Sequence, residues 1–352
     1  MDFGVFLPVV ANGYIVSLTS PQFVPTFELN KRCAQQAEAA GFTFALSQAT
    51  WRGWTEESPQ WESVTESITL TAGLVRETSK LKYYASVAVL TIPPGVVAKM
   101  ATMIDDMSDG RFGLNIVSGY NKPQYDQMGL WPGDEFFQTR YDYATEYVQI
   151  LRQLWDTGKS DFQGKYFQYD ARMGPTPKNR IELVCAGSSD RGIQFVSEYG
   201  DYSFVMPAGG IEGVRAQNER LEQANASSGR DVKSMVVRFV ILGDTDEDAQ
   251  EKIERYKEGA DMPALMSMAG IGSLDAEGST AARISELKES VFYGNPLVAG
   301  SPQTVAAYMD EMAKDPMTAG CMIMVDDYEN GIERFGREVM PLMESRKATA
   351  AR

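Results

Sequence analysis

Short β-rich runs alternate with longer segments of helical period almost from one end of the chain to the other. Strands are predicted at Phe3 to Pro8, Phe42 to Ser47, Leu81 to Val89, Phe112 to Ser118, Ile181 to Ala186, Tyr202 to Met206, Met235 to Leu242 and Cys321 to Val325. Helices are predicted between them at Phe27 to Ala40, Trp61 to Thr78, Gly95 to Met107, Arg140 to Trp155, Arg191 to Tyr199, Ile211 to Ala226, Thr245 to Tyr256 and Pro302 to Lys314, with a last one from Asn330 to Glu344. Such alternation implies a parallel sheet, because each strand returns to the same end of the sheet through a helical crossover. Eight strand–helix repeats with no GxGxxG after the first strand favour a closed (β/α)8 TIM barrel over a doubly wound dinucleotide fold. Turn chemistry agrees: Gly41 and Gly200 follow helical runs, where a left-handed cap suits glycine, and Pro94 and Pro302 stand at helix starts.

The 352 residues are read as one barrel domain with three insertions, near 10–26, 120–139 and 262–294. Loops that follow barrel strands build the active-site face. The second insertion carries NKPQYDQMGLWPGDEFFQ, a mixture of aromatic, amide and Gly/Pro turn residues. The third opens on Met262, Met266 and Met268 and is punctuated by Gly270, Gly272 and Gly278, as a mobile lid or a plain surface excursion would be. Residues Asp156 to Pro177 are expected to form a small extra β excursion.

Composition removes several classes of function. The chain has no histidine, which excludes a His base, Ser-His and Cys-His nucleophile pairs and His-bearing metal sites. A formal charge of −15 opposes nucleic acid and anionic membrane surfaces. No basic leader precedes the first apolar run and no apolar stretch is long enough to span a bilayer, so a soluble, cytoplasmic protein is expected. Cys33, Cys185 and Cys321 are far apart and lack CxxC spacing, so they support neither a disulfide framework nor a metal site, and burial is expected for each. Met100, Met103 and Met107 fall at helical spacing and are read as core.

Four segments carry candidate site residues. VCAGSSDRG (184–192) runs from a strand into a helix, placing Ser188 and Ser189 at a helix N-terminus that either binds phosphate or is merely capped. RFGLNIVSGYNKPQY (111–125) puts Asn115 inside an apolar strand, where an unsatisfied amide costs a few kcal/mol. It is a site residue, or a structural amide satisfied by backbone. Ser86, within YYASVAV, has the same two readings. ALSQATWRG (45–53) offers Gln48, Thr50, Trp51 and Arg52, and Trp51 and Trp54 either stack on a planar ligand or pack under a loop. Arg140 and Tyr141 are expected to open the long helix, Arg140 meeting a phosphate or solvent.

The runs PTFELNKRCAQQAEAAGFTFALS, DGRFGLNIVSGYNKPQYDQMGLWPGDEFFQTRYDYATEYVQILRQLWDTGKSDFQGKYF, VCAGSSDRG and VDDYENGIERFGREVMPLM resemble the bacterial luciferase-like flavin monooxygenases, within them the branch that oxygenates pyrimidines. The resemblance implies a (β/α)8 barrel and a two-component reaction. A separate flavin reductase supplies FMN as FMNH2, O2 is the co-substrate, and a flavin peroxide at N5 or C4a attacks a uracil-like heterocycle or cyclic amide and opens its ring. Such a cofactor explains how a chain without histidine can be an enzyme. By the same resemblance Ala49 and Thr50 contact flavin, Asn115 touches flavin and places O2, Arg140 and Tyr141 form a flavin-contacting pair, and Ser189 binds phosphate. Ser86 stands in place of a threonine and keeps the hydroxyl that assists Asn115. Gln124 replaces a flavin-contacting glutamate and Tyr120 a tryptophan, and the stretch with Gln48 and Trp51 also differs, all where substrate would sit. A homo-oligomer, dimer or tetramer, is implied. Alternatives are a sulfone or sulfonate monooxygenase, whose histidine is absent here, a deazaflavin-dependent reductase, and a non-catalytic flavin-binding protein.

Overall fold

The computed structural model describes residues 1–271, 291–292 and 297–350. Its strands are β1 (Asp2–Phe6), β2 (Phe44–Ser47), β3 (Lys82–Ala88), β4 (Phe112–Val117), β5 (Lys159–Ser160), β6 (Ala171–Arg172), β7 (Glu182–Ala186), β8 (Tyr202–Val205), β9 (Lys233–Leu242), β10 (Leu297–Gly300) and β11 (Thr318–Val325). Every one of the eight predicted strands forms, as β1, β2, β3, β4, β7, β8, β9 and β11, and these pair in parallel in that order. The ring closes where Asp2 to Val5 of β1 register with Gly320 to Ile323 of β11. Both faces of such a sheet are covered, which is why the strands read as apolar runs without alternation.

The helices are α1 (Phe27–Ala39), α2 (Ser67–Leu74), α3 (Pro94–Ser108), α4 (Lys122–Asp126), α5 (Phe136–Thr157), α6 (Asp190–Tyr199), α7 (Gly210–Ser228), α8 (Asp246–Glu258) and α9 (Met262–Ile271), followed by Pro302–Met312 and shorter turns. Pro94 and Pro302 occupy first helical positions, as predicted. The excursion before β7 is a small antiparallel pair, β5 with β6. All three cysteines are buried. No helix among the described residues is long and apolar enough to cross a membrane.

Several expectations are corrected. Gly41 has a left-handed φ of 83°, but Gly200 does not; a side chain there would meet the Val196 carbonyl oxygen at 2.8 Å, so space rather than dihedral angle selects glycine. The helix predicted from Trp61 to Thr78 spans only Ser67–Leu74, because Trp61 has φ 63° and the Glu66 carboxylate caps Ile68 N–H and Thr69 N–H. The long helix starts at Phe136, so Arg140 and Tyr141 lie in its second turn rather than opening it. The closing helix breaks into Gly331–Arg334, a wide turn at Phe335–Val339 and a tight one at Met340–Leu342, around Pro341, which has no N–H to give. Met103 is 56% exposed and not core. Strand β10, not anticipated, pairs with the C-terminal half of β9, Leu297 beside Phe239. Of the third insertion, α9 is described, with Met262 and Met266 exposed and Met268 buried; 272–290 and 293–294 lie outside the described residues, and with them the lid reading.

Asp201, between α6 and β8, gathers the charges at the far end of the barrel from the strands' C-termini. Its carboxylate meets Arg152 at 2.9 Å and Arg180 at 2.6 Å, and accepts Leu183 N–H at 2.8 Å. Burial pushes its pKa up, but these partners outweigh burial and hold it below the usual carboxylate range. A depressed folded-state pKa adds stability above the unfolded value, near ~4, and loses it as pH falls through the folded value. Asp201→Asn should therefore cost about 2 kcal/mol at pH 7, with the gap to wild type closing below about pH 4. Thermal unfolding at the two pH values checks this, and equal gaps at both would refute it.

Candidate active site

A cavity of about 300 Å³ opens where the barrel strands end. Phe6, Ala186 and Val205, the last residues of β1, β7 and β8, line it, which places it on the C-terminal face. Of the residues singled out from sequence, Gln48, Ala49, Thr50, Trp54, Ser86, Asn115, Tyr120, Gln124, Arg140, Tyr141 and Ser188 meet in its wall. Trp51 and Ser189 are not among the lining residues.

Strand register brings Asn115 of β4 beside Ser86 of β3, and Asn115 Nδ2 donates to Ser86 Oγ at 2.7 Å. Ser86 is held in turn, its N–H donating at 2.8 Å to Ser67 Oγ at the start of α2, and Ser67 is hydrogen-bonded to Ser47 of β2. This polar chain fixes the Asn115 side chain, yet its Oδ1 is buried and has no partner. Thr50 Oγ1, next to Ala49, is likewise buried and unpartnered. Each such group costs about 1–3 kcal/mol unless something else supplies its hydrogen bond.

The adjoining wall, from the segments that follow β4 and β7, is suited to a negative charge. Ser189 is the N-cap of α6, its Oγ accepting Gly192 N–H at 3.2 Å, so the capping role is realised. Gly187 and Gly192 pack so closely that a side chain on Gly187 would meet Gly192 C at 2.5 Å, and one on Gly192 would meet the Tyr141 hydroxyl at 2.6 Å. The Tyr141 hydroxyl thus lies against the first turn of α6, where free N–H groups and the positive helix end favour an anion. Arg140 is 6% exposed, with its guanidinium 3.9 Å from the Phe137 ring centroid and 4.8 Å from that of Tyr141. It donates to the Phe137 carbonyl, and no carboxylate among the described residues pairs with it. A buried, unneutralised cation calls for an anionic ligand.

Helix α4, which follows β4, grips the loop after β2: Gln124 Oε1 accepts Trp51 N–H at 3.1 Å, and Gln127 Nε2 donates to the Trp51 carbonyl at 3.1 Å. Trp51 is a loop anchor through its backbone. The aromatic wall comes instead from Phe6, Tyr14, Trp54 and Trp61, of which only Trp54 was flagged from sequence as a stacking residue. Tyr14 OH donates to the Leu7 carbonyl at 2.8 Å and Trp61 Nε1 to the Gly13 carbonyl at 2.7 Å, while the Trp54 and Trp61 rings lie 5.2 Å apart. The missed signal was NGYIV in the first insertion, where Asn12 and Gly13, both with left-handed φ, turn the chain so that Tyr14 enters the wall. Arg140 is the one charged residue among the described residues lining the cavity, and no metal-ligating cluster occurs among them.

The luciferase-like monooxygenase family model matches residues 1–319. The chain belongs to that family and is a flavin-dependent monooxygenase acting on a small molecule. It is 50% identical over 355 residues to pyrimidine monooxygenase RutA of Bradyrhizobium sp. (strain BTAi1 / ATCC BAA-1182), covering 99% of this chain and 98% of that one. The protein of the same name from Pseudomonas savastanoi pv. phaseolicola is 46% identical over 354 residues, covering 99% and 98%. Among solved structures, riboflavin lyase RcaE, determined with modified FMN and riboflavin, shares the fold at a TM-score of 0.85 with 19% identity, covering 99% of this chain and 92% of its own. A flavin suits the cavity, since it offers an anionic tail for Arg140 and polar ring edges for Asn115 and Thr50.

Because the Thr50 hydroxyl is buried without a partner, Thr50→Val should leave the thermal stability of the flavin-free protein unchanged or raise it by about 1 kcal/mol, while weakening flavin binding. Unfolding and flavin fluorescence titrations check both halves. A clear loss of stability would mean that the hydroxyl has a structural partner.

Proposed function

We propose that this chain is the oxygenating component of a two-component, cytoplasmic system, one barrel domain acting as a homo-oligomer, dimer or tetramer. FMN arrives as FMNH2 from a separate flavin reductase, O2 is the co-substrate, and a uracil-like nitrogen heterocycle or cyclic amide is oxygenated and its ring opened at an amide bond. Reduced flavin supplies the two electrons that activate O2 for transfer of an oxygen atom to the substrate. The observation that carries the reading is the Ser86–Asn115 pair at the strand ends, with a buried amide oxygen left for a ligand.

Arg140, the Tyr141 hydroxyl and the α6 N-terminus with Ser188 and Ser189 hold the phosphate. Ala49, Thr50 and Gln124 flank the ring. Asn115, oriented by Ser86, positions oxygen beside it. Gln48 and Tyr120 border the substrate, with Trp51 anchoring the loop that carries Gln48. The aromatic wall excludes water from a planar substrate, and in that dry setting each fixed dipole acts more strongly than in solvent.

The test is oxygen uptake with a general flavin reductase present, across uracil, thymine, pyridines, lactams and sulfones. Uptake should depend on both the reductase and a cyclic amide. Asn115→Ala should lower kcat about a hundredfold and Ser86→Ala about tenfold, corresponding to roughly 1.4–3 kcal/mol of transition-state stabilisation, with reduced FMN still bound at micromolar concentration. Uptake confined to sulfones, or hydride transfer without oxygen, would assign the site to another reaction. Flavin bound without turnover of any substrate would make the chain a flavin carrier.

A further inference from the structure

Three buried amides stand in the cavity wall, and two of them are committed. Asn115 holds Ser86 through Nδ2, and Gln124 holds the Trp51 backbone through Oε1. The third, Asn121, lies between Tyr120 and α4 and is 5% exposed. Its backbone carbonyl accepts Gln124 N–H at 3.1 Å, but its side chain does not cap α4. No donor reaches its Oδ1, and among the described residues its Nδ2 donates to nothing. The buried Oδ1 calls for a donor, and the Nδ2 beside it is left to give a hydrogen bond to an acceptor on the same ligand.

The group that meets both demands at once is a cis-amide edge, a ring C(=O)–N–H whose oxygen takes the Nδ2 hydrogen while its N–H donates to Oδ1. Asparagine forms the same kind of paired contact with nucleobase edges. We propose that Asn121 reads the cis-amide edge of the substrate oxygenated in this cavity and is a specificity-determining residue; this rests on the cyclic-amide reading of the site. The pyrimidine ring of the flavin carries the same edge, so the experiment must separate the two. A pocket built to hydrogen-bond an N–H rejects an analogue that lacks it more strongly than a purely apolar pocket would.

Binding is measured anaerobically by calorimetry on the FMN-loaded protein, with uracil and 1,3-dimethyluracil as ligands, in wild type and Asn121→Leu. Wild type should prefer uracil by about ten- to a hundredfold, and Asn121→Leu should lose that preference while FMN affinity, read by fluorescence, stays within about threefold. Thermal stability of the variant should not fall, because a similarly shaped apolar side chain leaves no orphaned polar group. If Asn121→Leu does not fold, Asn121→Ser serves the same comparison. The assignment is overturned if the uracil preference survives the substitution, if FMN affinity falls instead, or if wild type binds no uracil. Uracil bound with the expected preference but no oxygen consumed would remove the proposed reaction and leave the role of Asn121 standing.

Discussion

Hydrogen bonds between the first barrel strand and the last, β1 and β11, turn a parallel sheet that would otherwise have two open edges into a ring. Closure has a geometric consequence, because parallel strands in a ring all end on the same face. Residues as distant in sequence as Phe6, Asn115 and Met324 therefore meet around one cavity. The register of β3 with β4 then decides which side chains face each other there, and it pairs Ser86 with Asn115.

The barrel was legible because strands covered on both faces read as largely apolar runs, set apart by segments of helical period. Most of the polar site was legible for the opposite reason: Asn115 and Ser86 interrupt such runs, and an interruption in a buried strand needs a cause. What sequence did not disclose depends on loops. Trp61 fits a helical period, yet it belongs to a loop with φ 63°, a conformation bulky residues avoid unless their surroundings impose it. The Trp61 indole bonded to the Gly13 carbonyl, and its N–H bonded to the Ala11 carbonyl, supply that imposition from a segment about fifty residues away. Asn121 escaped notice because an asparagine beside a turn is ordinary; only the absence of a side-chain partner among the described residues sets it apart.

The cavity also shows how stability is distributed against use. Asp201, at the other end of the barrel, satisfies its carboxylate with arginines and a backbone N–H. At the strands' C-terminal ends, Thr50, Asn115 and Asn121 each bury a polar atom with no partner. Unpartnered buried atoms also occur away from the cavity, at Asn30, Asp105 and Asn225 among others, so those in its wall matter for where they stand and not for their number.

Among the described residues the cavity wall carries no acid, which bears on how protons move. Its polar members are amides, hydroxyls, indoles and a guanidinium. The described part of the pocket can orient a reaction, but its side chains offer no carboxylate, imidazole or amine to store a proton. Where only these described residues border the reacting atoms, a proton gained or lost travels on a ligand or through water, and the acidity of the bound ring N–H groups then shapes how rate responds to solvent pH and to deuterium.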